Sequence, residues 1–389
     1  MRARSHPIYS GCLLGLFVSV MGASEVLSGQ QIETIYSEPT CPKCLIRMGP
    51  AILLGSTDGG EWELPDRIRS SLYEHGMYYI SPGGASLSEL ISVFDAGGRP
   101  AYKIGKVGQG PNEYRLPWLL DVRGDTAWVA DAVNARLTKV QLSVNRELSS
   151  TLLPELAMGP TDLLLEPGGA LVAAMTIRNS EAIGFPVHRY DKTGNRVLSF
   201  GTVEPFYRPD QPRQLMRRIA QSHDGGLWAA HLTKYVIERY DRENRLVQTL
   251  VRAAEWFPGD HGQGPAPTPP NEPVPPQTFI HEVLEDRHGL LWVVSLVPDA
   301  NWRKAVGQVD SGPRLRWRIL DVNGYQDSRI EVLDPATGRL VVSAIIDEVV
   351  INLLTDSTVS VATVRYTRDG VPQVAISTAV ILGTRDSRQ

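Results

Sequence analysis

Helical periodicity is almost absent from this chain, as are the features that would staple it or carry it through a membrane. Three cysteines in 389 residues cannot build a disulfide framework. The apolar run Cys12–Met21 is too short to span a bilayer, and no other stretch resembles a span. A net charge of −4 gives no global basic field, which argues against nucleic acid as a partner. There is no Gly-x-Ser-x-Gly elbow, no His-Glu-x-x-His pair and no Walker loop, so no common motif marks a reaction. What is plentiful is glycine (35) and proline (28), the residues of tight turns between short strands.

Arg2 and Arg4 precede the apolar run, and the small residues Gly22, Ala23 and Ser24 follow it. That order is the order of an export signal over residues 1–29, a buried strand or helix being the other reading. Cys12 stands before the apolar run, whereas a lipidated cysteine would follow it. Cleavage would leave Cys41 and Cys44, in Cys41-Pro42-Lys43-Cys44. Two cysteines with no histidine at ligand spacing do not complete a zinc site. In an oxidising compartment they are expected to pair with each other. A redox-active pair would want a helix N-terminus beneath it, and Leu45-Ile46-Arg47-Met48 reads as a strand. Export implies a periplasmic or extracellular protein without an integral membrane segment in the mature chain.

A two-part pattern recurs along the rest of the chain. Its first part is a turn rich in Asp, Glu and Gly followed by an apolar strand. It begins at Glu74, Gly124, Glu166, Asp224, Asp286 and, more weakly, Thr355. Its second part is a strand, a tight turn opened by Asp and another strand, as in Val93–Arg99, Arg189–Val197, Arg239–Leu246 and Val332–Leu340. Asp caps such turns with its own side chain, and Gly or Asn supplies the positive φ. Two hairpins per unit make a four-stranded sheet, and units recur every ~45–65 residues. A lone sheet of this kind cannot bury both faces, so six must pack around an axis. The predicted fold is all-β, a six-bladed β-propeller of four-stranded antiparallel blades over residues 45–384, with an N-terminal segment at 30–44 and a tail at 385–389. A β-sandwich is the competing architecture, disfavoured by six copies of one signature. The last unit lacks an outer strand and Leu45–Leu54 has no unit of its own, so that segment is expected to close the ring.

The run Ile104-Gly105-Lys106-Val107-Gly108-Gln109-Gly110-Pro111-Asn112-Glu113-Tyr114, with Trp128–Asp131 and Asn134–Leu137, resembles the NHL-repeat type of six-bladed propeller. It is especially similar to an exported bacterial family known simply as six-bladed β-propeller proteins. The resemblance covers about Cys41 to Leu382, with Asn112 standing where the family often has Gly. It implies the fold and export, and no settled activity. The glycine-rich run is no dinucleotide fingerprint, because no helix follows to hold a pyrophosphate. A structural crossover between blades is the favoured role, a direct ligand contact the other.

Strand parity locates the functional face. In an up-and-down blade the first and third connections share one end, and the second connection and the interblade link share the other. Every long segment is of the second kind: Gly105–Arg115, Thr202–Met216, Ala253–Gln277 and Val297–Ser328. Long loops on a rigid scaffold are where binding resides. Their arginines and aromatics suit peptides, sugars or carboxylated ligands. The candidate ligand-binding residues are Tyr114, Arg115, Arg217, Trp302 and Arg303; packing and solvation are the plain alternatives for each. Trp302, between Asn301 and Arg303, is the favoured anchor, its rival role being to plug the long loop onto the mouth. His231 and His281 could approach one mouth, while His223 and His288 belong to the opposite turns.

Two function classes remain. One is an exported binding module for a protein, peptide or glycan, with no catalytic residues and no cofactor. The other is a propeller lyase or hydrolase with a divalent metal in the channel, drawing on Asp121, Asp162, His281, Glu282 and Asn352.

Overall fold

A computed structural model describes residues 31–35, 38–65, 67–83, 89–178, 181–203, 212–258, 273, 275–310, 315–355 and 358–383. The signal-like start and the tail 385–389 lie outside them. Six antiparallel four-stranded sheets follow one another along the chain. Their inner strands are Ile68–Glu74, Pro117–Arg123, Asp162–Leu165, Arg217–Gln221, Phe279–Glu285 and Val350–Thr355, for blades one to six. Each inner strand adjoins the next, and the sixth adjoins the first, so the ring is closed.

The buried residues explain why single strands read as continuous apolar runs. There are six blade-to-blade interfaces, and each holds its own apolar cluster. Tyr78 faces blade six, while Tyr79, one residue on, faces blade two. The period-2 alternation that gives most sheets a wet face here feeds two dry interfaces.

The outer hairpins repeat one turn chemistry. Asp95 Oδ1 accepts the N–H groups of Gly97 and Arg99, both at 2.9 Å. Asp191 does the same for Thr193 and Asn195 at 2.8 and 3.0 Å, and Asp241 for Glu243 and Arg245 at 3.0 and 2.9 Å. Asn244 takes the positive φ (63°) that Gly98 and Gly194 take in the sister turns.

The ring closes as the sequence predicts. Leu45–Met48 and Ile52–Leu54 pair antiparallel with the last strand, Pro372–Leu382, in a register running from Leu45 opposite Leu382 to Leu54 opposite Val374. Cys41 and Cys44 are joined by a disulfide at the start of this clasp. One further strand has no counterpart in the repeat. Gln31–Thr34 adds in parallel to the outer edge of blade four, beside Leu246–Val251. Thr40 then donates its N–H to Leu340 O of blade five at 2.8 Å. The segment before the clasp thus straps blade four to blade five and continues into blade six.

Candidate functional site

The glycine-rich crossover is a self-contained knot. Arg136 donates to the carbonyls of Gly110 (2.9 Å) and Glu113 from beneath. Asn134 Nδ2 donates to Gly108 O at 3.0 Å, and Gly110 N–H to Glu113 Oε2 at 2.8 Å. Asn112 sits at φ 57°, a left-handed conformation that Asn tolerates as Gly does, which accounts for Asn at that position. Tyr114 is fully buried in this knot, at 0% exposure.

Burial divides the five sequence-predicted ligand residues. Arg217 is also at 0%, with Nε 3.7 Å from buried Glu238. Tyr114 and Arg217 therefore present no surface to a ligand. Arg115 is half-buried, its N–H donating to Asp131 Oδ2 at 3.0 Å. Arg303 is exposed and its guanidinium lies 5.1 Å from the centre of the half-buried Trp302 ring. Trp302 meets Tyr325 edge to face at 6.4 Å and packs with Ala305 and Val306. It therefore pins the blade-five insertion, Trp302–Ile319, whichever other role it has. Phe206, Tyr207, Arg208, His261 and most of Gly264–Pro276 lie outside the described residues.

The structure brings a different set together. On the inner strands, near the ends that meet the long connections, stand Arg69, Asp162, Arg218, His281, Glu282 and Asn352, from blades one, three, four, five and six. All are half-buried. Asn352 Oδ1 accepts the Ser71 N–H of blade one at 2.6 Å, and its Nδ2 donates to Glu282 Oε2 of blade five at 3.2 Å. Asp162 accepts the N–H groups of Leu163 and Ile219, both at 2.9 Å. Arg218 Nη1 donates to Thr161 O at 2.9 Å. Arg69 lays its guanidinium over Trp118 of blade two at 4.4 Å.

The charges of these groups act on one another across the ring, which places them around the axis. Burial first, then the Arg218 charge, lowers Arg69 from the usual arginine value. Burial first, then the Asp162 charge, raises Glu282 to about 8. Burial first, then Arg218, lowers His281 to about 3, which leaves a neutral imidazole. Asp162 is raised, by burial. His281 Nδ1, Arg218 Nε and Ser71 Oγ are buried without a hydrogen-bond partner among the described residues.

Arg69 was missed in the sequence because only its place on an inner strand marks it. Arg217 and Arg218 show how sharp that criterion is. Arg217 shares its side of the strand with Ile219 and sinks into blade four against Glu238; Arg218, one residue on, reaches the axis. Asp121 does not join the axial set: it accepts its neighbour Val122 N–H at 2.8 Å and pairs with Arg123 at 2.6 Å. His231 does not meet His281. It lies inside blade four, 3.5 Å from Glu238, which His231 and Arg217 hold down to about 2 against the burial that would raise it.

Among the described residues, the axial acids and His281 do not converge as metal ligands; Asp299, Asp327 and Asp347 do, with ligand atoms within 4.8 Å of one another. Burial, then the charges of Asp299 and Asp347, raises Asp327 to about 6. An acidic trio by itself does not make a metal site.

No family model and no curated protein matches the chain. Solved structures do. A Bacteroides fragilis protein provisionally described as exported is similar over 90% of this chain and 100% of its own, at 11% identity and TM-score 0.54. Regucalcin of Agrobacterium tumefaciens, a calcium-binding protein, is similar over 92% and 98%, at 9% identity and TM-score 0.46. Virginiamycin B lyase of Staphylococcus aureus is similar over 87% and 100%, at 11% identity and TM-score 0.42. The first of these likenesses, at 11% identity, is one of fold alone. The class defined is the six-bladed β-propeller. Among the described residues no helix is long and apolar enough to cross a membrane.

Proposed function

We propose that this protein is an exported binding module that recognises a protein, peptide or glycan at the face bearing the long connections, with part of the ligand entering the axial channel. The carrying observation is the axial set. Six polar side chains from five blades meet at the channel end that the long loops surround, and three of their neighbourhood's polar atoms are buried without partners. Polar and charged side chains gathered at one channel end, under the long loops, suit a polar group of a ligand entering there. The signal-like residues Arg2, Arg4 and Cys12–Met21 support export, as does the resemblance to exported NHL-type propellers. Arg115, Trp302 and Arg303 would contribute as rim contacts, Trp302 from its exposed edge.

The test is a thermal-shift screen of the mature protein against short peptides and neutral and acidic sugars. Hits are then titrated on Arg218→Gln and Trp302→Ala. Loss of at least roughly tenfold in affinity for Arg218→Gln, at unchanged melting temperature, supports the axial site. Trp302→Ala should weaken binding by about 2 kcal/mol if the ring is an anchor. A lower melting temperature with affinity intact would make Trp302 a packing residue only.

A further inference from the structure

We propose that the group entering the channel is an anion, a carboxylate held between the guanidinium groups of Arg69 and Arg218. This takes the axial site as the place of binding and names its ligand chemistry.

The charges that face one another there do not balance. Two arginines contribute positive charge from blades one and four. His281, beside Glu282 on the same strand, is neutral at any ordinary pH. Glu282, held up to about 8 by burial and by Asp162, is mostly protonated at neutral pH. Asn352 of blade six carries no charge, and Asp121 of blade two is paired with Arg123. Asp162 of blade three, which accepts two backbone N–H groups and is itself pushed up by burial, supplies at most the one carboxylate charge left to oppose two guanidinium groups. The channel end is therefore short of at least one negative charge.

The donors suit a carboxylate in shape as well as in sign. Arg69 holds its guanidinium over the Trp118 ring, 4.4 Å from its centre, a contact that positions the group without using its N–H donors. Arg218 commits Nη1 to Thr161 O and keeps Nε buried and unbonded. A planar anion with two oxygens matches planar forks of N–H donors, and the match is strongest away from bulk water. A protonated Glu282 adds a neutral O–H donor.

Such a carboxylate has two natural sources, the C-terminus of a peptide and a uronic acid unit of a glycan. Ligand-observed NMR on the mature protein separates them with two matched pairs: N-acetylglycine against N-acetylglycinamide, and galacturonate against galactose. At about pH 6.5 at least one acid should bind at least tenfold more tightly than its neutral partner, and which acid does so names the source. Arg69→Gln and Arg218→Gln should each abolish that preference, while Arg218→Lys keeps part of it, which guards against misreading a folding defect. At about pH 9 the parent should bind the acid several-fold more weakly, because Glu282 becomes a second negative charge, and Glu282→Gln should not. Equal binding of acid and amide, with the arginine variants unaffected, overturns the proposal, as does failure of both acids to bind at millimolar concentration. A neutral ligand from the screen that still depends on Arg218 would leave the axial site standing and remove only the anion.

Discussion

The six blade interfaces and the channel axis are built from the same inner strands, yet they obey opposite rules. Ile219 is buried among Val172, Phe200 and Tyr240 between blades three and four. Arg218, its neighbour in sequence, stands at the axis among Arg69, Asp162 and Glu282. At the interfaces volume and apolarity decide, and buried charges come as ion pairs, as Arg252 does with Glu331 at 3.0 Å. At the axis polar and charged side chains from five different blades face one another, with Glu282 pushed up and His281 pushed down. The interfaces account for the fold; the axis is the part that packing does not require.

The comparison can be broken most severely at the clasp. Removing residues 31–54 takes away the outer strand of blade six and the strap on blades four and five. Cooperative thermal unfolding by circular dichroism should be lost, because opening the ring exposes both faces of a blade at once. A truncated protein that melts as the parent does would show that the clasp is dispensable.

Single interface residues come next. Leu54→Ala, at a position with 0% exposure in the blade six–one cluster, should cost about 2–5 kcal/mol in urea unfolding. A loss below about 1 kcal/mol would mean that the interface relaxes around the cavity.

A pH experiment sharpens the contrast. His188 is fully buried, donating from Nε2 to Met175 O at 3.1 Å and, as a neutral ring, accepting at Nδ1 from Ser199 Oγ at 2.9 Å. Burial lowers it to about 4. The folded group stays neutral while the unfolded one takes up a proton below its ordinary value near 6.5. Stability is therefore lost as pH falls from about 6.5 to 4, on the order of 3 kcal/mol for this group alone. Urea unfolding at both ends of that range should show a shallower acid loss for His188→Gln than for the parent.

The axial substitutions should have the smallest effect on stability. Glu282 has a raised folded value, so its sign is the reverse: the unfolded carboxyl loses its proton above about 4.3 while the folded one keeps it up to about 8, and stability falls as pH rises across that range. Glu282→Gln should change stability at pH 4 by less than about 1 kcal/mol and remove part of the parent's loss between about pH 4.5 and 8. A large loss at pH 4 would make Glu282 a structural residue.

Blade number, ring closure and the loop-rich face were legible in the sequence because turns leave local marks. Asp95, Asp191 and Asp241 each cap a turn within four residues of themselves. The Leu45–Leu54 clasp was legible from a missing strand. The strand Gln31–Thr34 was not, because four residues pairing at the edge of a distant blade carry no periodicity and no turn. The site was legible only in part. Asp162, His281, Glu282 and Asn352 stood out as polar residues on inner strands, but Arg69 did not, and Arg217 was preferred to Arg218. Those choices depend on which side of a strand faces the axis, and bulges in the inner strands of blades one, two, five and six shift that parity. Aromatic, basic loop composition drew attention to Tyr114, which is spent on packing its own crossover.

The most direct measurement is hydrogen–deuterium exchange of the mature protein with and without a ligand from the screen. Binding at the axis predicts added protection at residues 67–71, 161–163, 217–219, 280–283 and 350–353, which are far apart in sequence and adjacent only around the channel. Protection confined to the tight turns at 95–99, 191–195 and 241–245, on the opposite face, would contradict the account.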